Sequence, residues 1–376
     1  DHLEGRKVIL ANDLTPSDTA LLDRKNVMGF AISAGSRTSH TAILARSLGI
    51  PAVVCVEGLL ENAKPDDFVI IDGSLGKIII NPSPDVGQDY LNRASEDRKF
   101  YEILAGESQL EAKTVDDVKI HLAANIENFE DVNNVKRFGC ESIGLFRTEF
   151  LYMGAGPLPS EEKQYSIYRR TAEEMGDKPV IIRTLDIGGD KYNNNIVIKR
   201  EANPFMGLRA IRLCLHGYPD IFRTQLRAII RAAAKGRIKI MLPMITCMEE
   251  VRQTKELIAH ICQELKRKGI EHKNDVELGV MIETPAAVML APELAQEVDF
   301  FSIGTNDLIQ YSMAVDRGNE KVSYLYRPMH PAILRMIKYT VEAGNAANIP
   351  TAICGEMAGD PKTAMLVVGL GVRELS

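Results

Sequence analysis

The stretch Glu277-Leu278-Gly279-Val280-Met281-Ile282-Glu283 shows the pattern that decides the fold, an apolar, strand-like run that ends at a charged residue. The run Phe300–Ile303 repeats this pattern shortly before Asp307. From Val118 onward such runs alternate with helical stretches, and they are Val118–Ala124, Ser142–Phe146, Val180–Leu185, Ile238–Pro243, Glu277–Ile282, Phe300–Ile303 and Thr351–Cys354. This α/β alternation is typical of parallel strands joined by helices, and seven or eight units predict a (β/α)8 barrel.

Charged residues stand at or just after nearly every predicted strand. They are Glu127, Arg147, Arg183, Glu283, Asp307 and Glu356. In a barrel the carboxyl ends of the strands converge on one face, where active sites lie. The residues Gly371–Ser376 resemble the start of an eighth strand, so we expect the chain to stop before the last helix of the barrel.

Arginines in these segments indicate an anion site. They are Arg147, Arg183, Arg209 and Arg212, and Arg317 follows later in the chain. Guanidinium groups bind phosphate and carboxylate oxygens in bidentate fashion, so several of them could hold a small anion with two or three negative charges. The alternative is that they form structural ion pairs with Asp186 or Glu149.

Two carboxylates and a thiol complete the predicted site on the barrel. Glu283 and Asp307 follow adjacent strands without histidines or thiolates beside them, a donor set that suits Mg²⁺. Asn306 can donate to a phosphate oxygen. Cys354 ends a strand near cations and could exchange a proton with substrate, although a buried cysteine is more often inert.

The first part of the chain carries a separate candidate, His40. It lies in Ala34-Gly35-Ser36-Arg37-Thr38-Ser39-His40-Thr41-Ala42, where a glycine-containing turn meets the predicted start of a helix. Backbone N–H groups and the helix dipole favour an anion there, and Arg37 and Arg46 add positive charge. A histidine in this position can carry a phosphoryl group, and the alternative is a helix residue without chemistry.

Breaks between the predicted elements divide the chain into three parts. Short β-rich runs fill 1–84 and end at Asn81-Pro82-Ser83-Pro84. Helical spacing then predicts a linker helix over 85–112, with a surface helix of the next domain as the alternative, and the barrel occupies 113–376. We therefore expect a small domain that carries His40, a linker helix and a truncated barrel.

Composition limits the partners of the 376-residue chain. Its 45 Lys and Arg against 51 Asp and Glu give a net charge of −6, which argues against non-specific nucleic-acid binding. No apolar run reaches membrane-spanning length, and the N-terminus does not resemble a signal peptide. The six cysteines lack paired metal spacing, so we expect reduced thiols and a cytoplasmic location.

The run around His40, with Ser47-Leu48-Gly49-Ile50-Pro51-Ala52-Val53-Val54, resembles the phosphohistidine motif of the phosphoenolpyruvate (PEP)-utilising family. Two positions depart from that motif, because Ser36 and Cys55 stand where the family usually has glycines. The runs Asp186-Ile187-Gly188-Gly189-Asp190-Lys191 and Ala314-Val315-Asp316-Arg317-Gly318-Asn319 resemble the enzyme I branch of the family, which transfers phosphate in the bacterial phosphotransferase system.

This resemblance implies a swivelling phosphohistidine domain beside a PEP-binding barrel. It implies that His40 accepts the phosphoryl group, that Glu283 and Asp307 hold Mg²⁺, and that Cys354 protonates the enolate to give pyruvate. The residues implied to hold PEP are Arg147, Arg183, Arg209, Asn306 and Arg317.

The resemblance also implies partners. Phosphate would pass to the carrier protein HPr, and the protein would form a homodimer through the barrel. No segment matches the helical subdomain that binds HPr in enzyme I, so we expect inefficient transfer to HPr. The open alternatives are a pyruvate phosphate dikinase or PEP synthase, a nitrogen-related paralogue of enzyme I, and a PEP-binding regulator without turnover.

Overall fold

The computed structural model of the chain describes residues 7–14, 26–33, 50–108, 110–152, 157–188, 201–319 and 321–376. The predicted phosphohistidine turn with Ser36 and His40 lies outside the described residues. The chain divides into two compact units, one formed by 1–107 with Val315–Tyr326 and the other by 108–314 with 327–376. The boundaries 1–84, 85–112 and 113–376 stay predictions.

The first unit contains two small sheets. Strands β1 (Lys7–Ala11), β2 (Val27–Ile32) and β3 (Ala52–Val53) form a parallel sheet in that order, and β4 (Val69–Asp72) and β5 (Lys77–Ile80) form an antiparallel hairpin. The short β-rich runs predicted for this part of the chain therefore form strands, although β3 is only two residues long. Ala31, Val53 and Leu59 form its buried core, against which the hairpin residues Ile71 and Ile78 pack.

Two turns of the first unit follow from residue chemistry. Asp72 Oδ1 accepts hydrogen bonds from the backbone N–H groups of Ser74 (3.1 Å) and Leu75 (2.9 Å), which fixes the predicted hairpin turn. Cys55, which departs from the family glycine, has a φ of +60°. This backbone region favours glycine, so the cysteine occupies a turn that a glycine would adopt with less strain.

A long helix, Pro84–Glu107, follows the hairpin, and a short helix, Leu59–Asn62, precedes it. The long helix ends five residues before the predicted limit of 112. The chain becomes extended instead, because Lys113 forms an antiparallel bridge with Lys119 around a turn in which Asp117 has a φ of +66°.

The second unit is a closed barrel of eight parallel strands, which confirms the predicted fold. Its strands are β6 (His121–Ile126), β7 (Ser142–Phe146), β8 (Val180–Arg183), β9 (Ile238–Leu242), β10 (Leu278–Ile282), β11 (Phe300–Gly304), β12 (Thr351–Cys354) and β13 (Glu374–Leu375). The predicted first strand, Val118–Ala124, is wrong at its start because Val118 donates its N–H to Thr114 Oγ1 in the preceding turn. Strand β13 pairs with both β12 and β6 and so closes the barrel.

Helices surround the barrel. The helical segments of this unit are Val132–Arg137, Glu161–Met175, Ala210–Arg212, Pro219–Ala232, Met248–Arg267, Pro285–Met289, Ala291–Leu294, Thr305–Ser312, Pro331–Ala346, Glu356–Gly359 and Pro361–Gly369. The barrel interior is filled by apolar side chains that the strands direct inward, among them Leu145, Ile181, Met241 and Met281. Among the described residues, no helix is long and apolar enough to cross a membrane.

Candidate active site

Six charged side chains are buried where the strands of the barrel end. They are two arginines and four acidic residues, none more than 8% exposed: Arg183, Arg209, Glu149, Asp186, Glu283 and Asp307. Burying a charge is costly unless it is paired or binds a ligand, so the pairing of this cluster decides what it can do.

Arg183 ends β8 and is held by two carboxylates. Its Nη2 lies 2.8 Å from Glu149 Oε1, and its Nη1 lies 3.1 Å from Asp186 Oδ2. Glu149 Oε1 also accepts the backbone N–H of Asp186 at 3.1 Å. The guanidinium is therefore fixed before any ligand arrives, which is the preorganisation that recognition of an anion requires.

Arg209 is held by Asp186, the carboxylate that also pairs with Arg183. Its Nη2 donates to both oxygens of Asp186, at 2.8 and 3.1 Å, and its Nε donates to Oδ1 at 3.3 Å. Gly188 has a φ of +120°, and a side chain there would collide with Arg209. Only glycine permits this close approach of the two backbone segments. Ala210 also has a positive φ of +51°, so the backbone beside Arg209 is strained.

Glu283 follows β10 and is almost completely buried. Its Oε1 accepts the backbone N–H of Met244 at 2.6 Å, and Met244 has a φ of +59° that directs this N–H. Burial, together with the nearby carboxylates of Asp307 and Asp186, raises the pKa of Glu283 to about 8 against the opposing charges of Arg183 and Arg209. A side chain at Gly304 would come within 2.7 Å of Glu283 Oε2, so glycine leaves room for this carboxylate.

Asp307 lies in the first turn of the helix Thr305–Ser312. Its Oδ1 is buried and has no hydrogen-bond partner, and its nearest cation is Arg209 Nη1 at 3.6 Å. The four buried carboxylates exceed the two guanidinium groups by two negative charges when all are ionised. The unsatisfied oxygen and this excess fit a divalent cation held by Asp307 and Glu283.

No cluster of three or more His, Cys, Asp or Glu side chains in the described part of the chain could hold a metal ion. Two carboxylates alone suit Mg²⁺, which keeps several waters and completes its shell with substrate oxygens. The residues therefore fit the predicted cation.

Asn306 lies in the first turn of the helix that follows β11, and Cys354 ends the neighbouring strand β12. Asn306 Oδ1 accepts the backbone N–H of Glu356 at 3.1 Å, which leaves its amide as a donor. Cys354 is buried, Ser302 Oγ donates to its sulfur at 3.4 Å, and the thiol donates to the Ile303 carbonyl at 3.6 Å. Burial raises the pKa of the Cys354 thiol, so it stays protonated at neutral pH.

The structure brings Arg183, Arg209, Glu283 and Asp307 into one network. The ion pairs with Asp186 and Glu149 that the sequence left as an alternative for the arginines are present in it. Arg147 forms a partly exposed pair with Glu127 at 3.2 Å and is near enough for its charge to act on the Cys354 thiol, and Arg212 donates to the Met206 carbonyl. Arg317 belongs to the other compact unit, so its role at the barrel stays a prediction.

Two supporting residues were missed at the sequence level. Gln225 accepts the backbone N–H of Leu185 at 2.8 Å and donates to Thr148 Oγ1 at 3.0 Å, which fixes the backbone after Arg183. Tyr311 accepts a hydrogen bond from Arg209 at 2.9 Å. A weak signal for Tyr311 existed, because it follows Asp307 by four residues and so shares its helix face.

Fold and site together define a (β/α)8-barrel protein with an acidic, arginine-containing centre at the carboxyl ends of its strands. The family models of the PEP-utilising enzymes match the chain, the PEP-binding domain over residues 102–376 and the mobile domain over 3–76. The chain therefore belongs to the PEP-utilising enzymes.

Three similar proteins carry the name phosphoenolpyruvate-protein phosphotransferase. The one from Geobacillus stearothermophilus is 50% identical over 98% of this chain, and the one from Staphylococcus carnosus is 48% identical over 98%. The one from Buchnera aphidicola is 45% identical over the whole chain. The chain spans 64 to 65% of the length of these relatives.

Proposed function

We propose that this chain is the phosphoryl-accepting part of an enzyme I, which takes a phosphoryl group from PEP onto His40 and releases pyruvate. The observation that carries the proposal is the buried excess of two carboxylates around Arg183 and Arg209, with Asp307 Oδ1 unsatisfied. The names of the similar proteins favour a protein phosphotransferase over a dikinase, a synthase or a regulator without turnover.

PEP carries a phosphate and a carboxylate, and the arginines complement both groups. We assign Arg183 and Arg209 to the substrate because their carboxylate partners hold them rigidly. Arg147 pairs with Glu127 at 3.2 Å and is partly exposed, so it can turn toward an anion. The Asn306 amide and Arg317 would supply further donors.

The proposed cofactor is Mg²⁺, held by Glu283 and Asp307. When bound, the cation neutralises charge on the phosphoryl oxygens during transfer. Burial of Glu283 and, after it, the nearby charge of Asp307 raise the pKa of Glu283, which is the cost of keeping these two carboxylates in place for the cation.

In the transfer step, a neutral ring nitrogen of His40 forms a bond to phosphorus while the bond from phosphorus to the enol oxygen breaks. The electron pair stays on that oxygen, and the resulting enolate takes a proton at its terminal carbon from the Cys354 thiol to form pyruvate. Solvent later returns the proton to the thiolate. A thiol that is protonated at neutral pH suits this role.

His40 must reach the barrel and later leave it, so we propose a hinge at Asn81–Pro84, where the hairpin ends and the long helix begins. We further propose HPr as the next phosphoryl acceptor and a homodimer through the barrel, both on family grounds. A cytoplasmic location fits the six free cysteines.

The test is the intact mass of the chain after incubation with PEP and MgCl₂. We expect the gain of one phosphoryl group, with equimolar pyruvate, and no gain in a His40→Ala variant. A phosphoryl group on the His40→Ala variant would contradict the assignment. A folded parent chain that neither gains mass nor releases pyruvate would contradict the proposed activity.

A further inference from the structure

The phenol of Tyr311 joins three parts of the barrel face. It lies one turn after Asp307 on the helix Thr305–Ser312. Its oxygen accepts a hydrogen bond from Arg209 Nη1 at 2.9 Å, and its hydroxyl donates to the backbone carbonyl of Phe205 at 2.5 Å. The phenol thus links Arg209 to the turn Pro204–Met206 and to the helix of Asp307.

This hydrogen bond comes from Nη1, the nitrogen of the Arg209 guanidinium that does not bond to Asp186. Nε and Nη2 are already used by Asp186, and Nη1 alone faces Asp307, at 3.6 Å. Because the guanidinium group is planar, the bond to Tyr311 is a further anchor for its orientation, and it leaves the second Nη1 hydrogen to a ligand. A substrate anion beside Asp307 would meet that second hydrogen.

The turn itself has another anchor. The carboxylate of Glu201 accepts the backbone N–H of Leu208 at 3.1 Å and lies against Gly207. Loss of the phenol hydroxyl would therefore leave the turn held by Glu201, while Arg209 Nη1 would lose its only neutral hydrogen-bond acceptor in the described residues.

We propose that Tyr311 is a positioning residue for PEP, which sets the direction of the Arg209 Nη1 group toward the substrate. The inference rests on the proposed function, because it assumes that Arg209 contacts PEP. Tyr311 acts through the arginine and takes no part in the transfer of the phosphoryl group or of the proton.

The test measures PEP binding by calorimetry with MgCl₂ in a His40→Ala background, where no transfer consumes the substrate. We expect Tyr311→Phe to weaken PEP binding about tenfold, the typical effect of losing one hydrogen bond to a charged group. The control is Tyr339→Phe, because this partly exposed phenol lies on the helix Pro331–Ala346, which carries none of the site residues described above. We expect the control to bind PEP as the parent does.

A second measurement separates positioning from general stability. If Tyr311 acts through Arg209, then Tyr311→Phe added to Arg209→Lys costs no further affinity. Equal affinity of Tyr311→Phe and the parent, or fully additive losses, would overturn the inference while leaving the proposed function intact. A parent that binds no PEP would overturn the proposed function and the inference with it.

Discussion

Both ends of the barrel carry ion pairs between basic and acidic side chains, but the pairs reach solvent at one end and are buried at the other. At the amino ends of the strands, Lys239 pairs with Glu277 at 2.5 Å, and Lys119 pairs with Glu141 at 3.2 Å, with solvent reaching both carboxylates. At the carboxyl ends, Arg183 and Arg209 are buried with four carboxylates. Pairs that solvent screens contribute little to stability, whereas buried charges that exceed their partners need a ligand.

Carboxyl groups at the two ends also differ in the direction in which their pKa values are shifted. Glu283 has its pKa raised to about 8 by burial and by its acidic neighbours, whereas hydrogen bonds and charge from Lys119 and His121 lower the pKa of Glu141 despite its partial burial. Perturbation of this kind clusters at functional sites. The carboxyl end is therefore built for binding and the amino end for surface pairing.

The largest expected effect is the loss of activity when Glu283 is replaced. Glu283→Gln keeps the acceptor for Met244 N–H but removes a charge that would hold Mg²⁺, so we expect PEP-dependent pyruvate formation to fall about 1000-fold. The matched control at the amino end, Glu277→Gln, should keep the parent rate. Equal rates for the two variants would break the comparison. Thermal unfolding of both variants checks that the fold is kept.

The next effect is on stability. Arg183→Met leaves the buried Glu149 without its cation and leaves Asp186 with Arg209 alone, so we expect the free energy of unfolding to fall by about 3–5 kcal/mol. Lys239→Met removes the partly exposed partner of Glu277 and should cost about 1 kcal/mol or less. Urea denaturation measures both. Similar costs at the two ends would mean that burial does not distinguish them.

Cysteines provide a third comparison. We expect Cys354→Ala to slow pyruvate formation about 100-fold, because the enolate loses its proton donor. Cys140, which lies just before β7 at the amino end, is the matched control, and Cys140→Ala should be neutral. Pyruvate release at the parent rate by Cys354→Ala would remove the thiol from the mechanism.

The last prediction is a slope with pH in the metal-free chain. Glu283 has an ordinary pKa of 4.5 when unfolded and about 8 when folded, so between these values the folded chain holds a proton that the unfolded chain has lost. The free energy of unfolding should therefore fall as pH rises from 4.5 to about 8, and this contribution should be constant above. Urea titrations at several pH values give the free energy of unfolding of the parent and of Glu283→Gln. The difference between the two proteins isolates the contribution of Glu283. A difference that does not change with pH would refute the assignment.

Sequence patterns predict the barrel because strands buried on both faces read as apolar runs that end at charged residues. They also predict Arg183, Glu283 and Asp307 as neighbours, because strand order brings their ends together. The predicted start of β6 was wrong because a local hydrogen bond from Val118 N–H to Thr114 Oγ1 holds Val118 in a turn. The periodicity of the sequence does not show such a bond.

Other features of the site depend on tertiary geometry. The positive φ of Met244 is unusual for a residue with a long side chain and arises where its N–H meets Glu283. The choice of Asp186 as the shared partner of both arginines also depends on how distant segments meet. Arg183 and Asp186 are three residues apart, so their pair could be proposed from the sequence, but the contacts of Asp186 with Arg209 and of Glu283 with Met244 join residues far apart in the chain.

The most direct measurement of the central claim is calorimetric binding of Mg²⁺ in the presence of PEP, in a His40→Ala background. The account predicts one Mg²⁺ per chain, at least tenfold weaker binding after Glu283→Gln, and unchanged binding after Glu277→Gln. Equal Mg²⁺ affinity in all three proteins, or no Mg²⁺ binding in any of them, would contradict the claim that the buried negative excess of the barrel holds the cation.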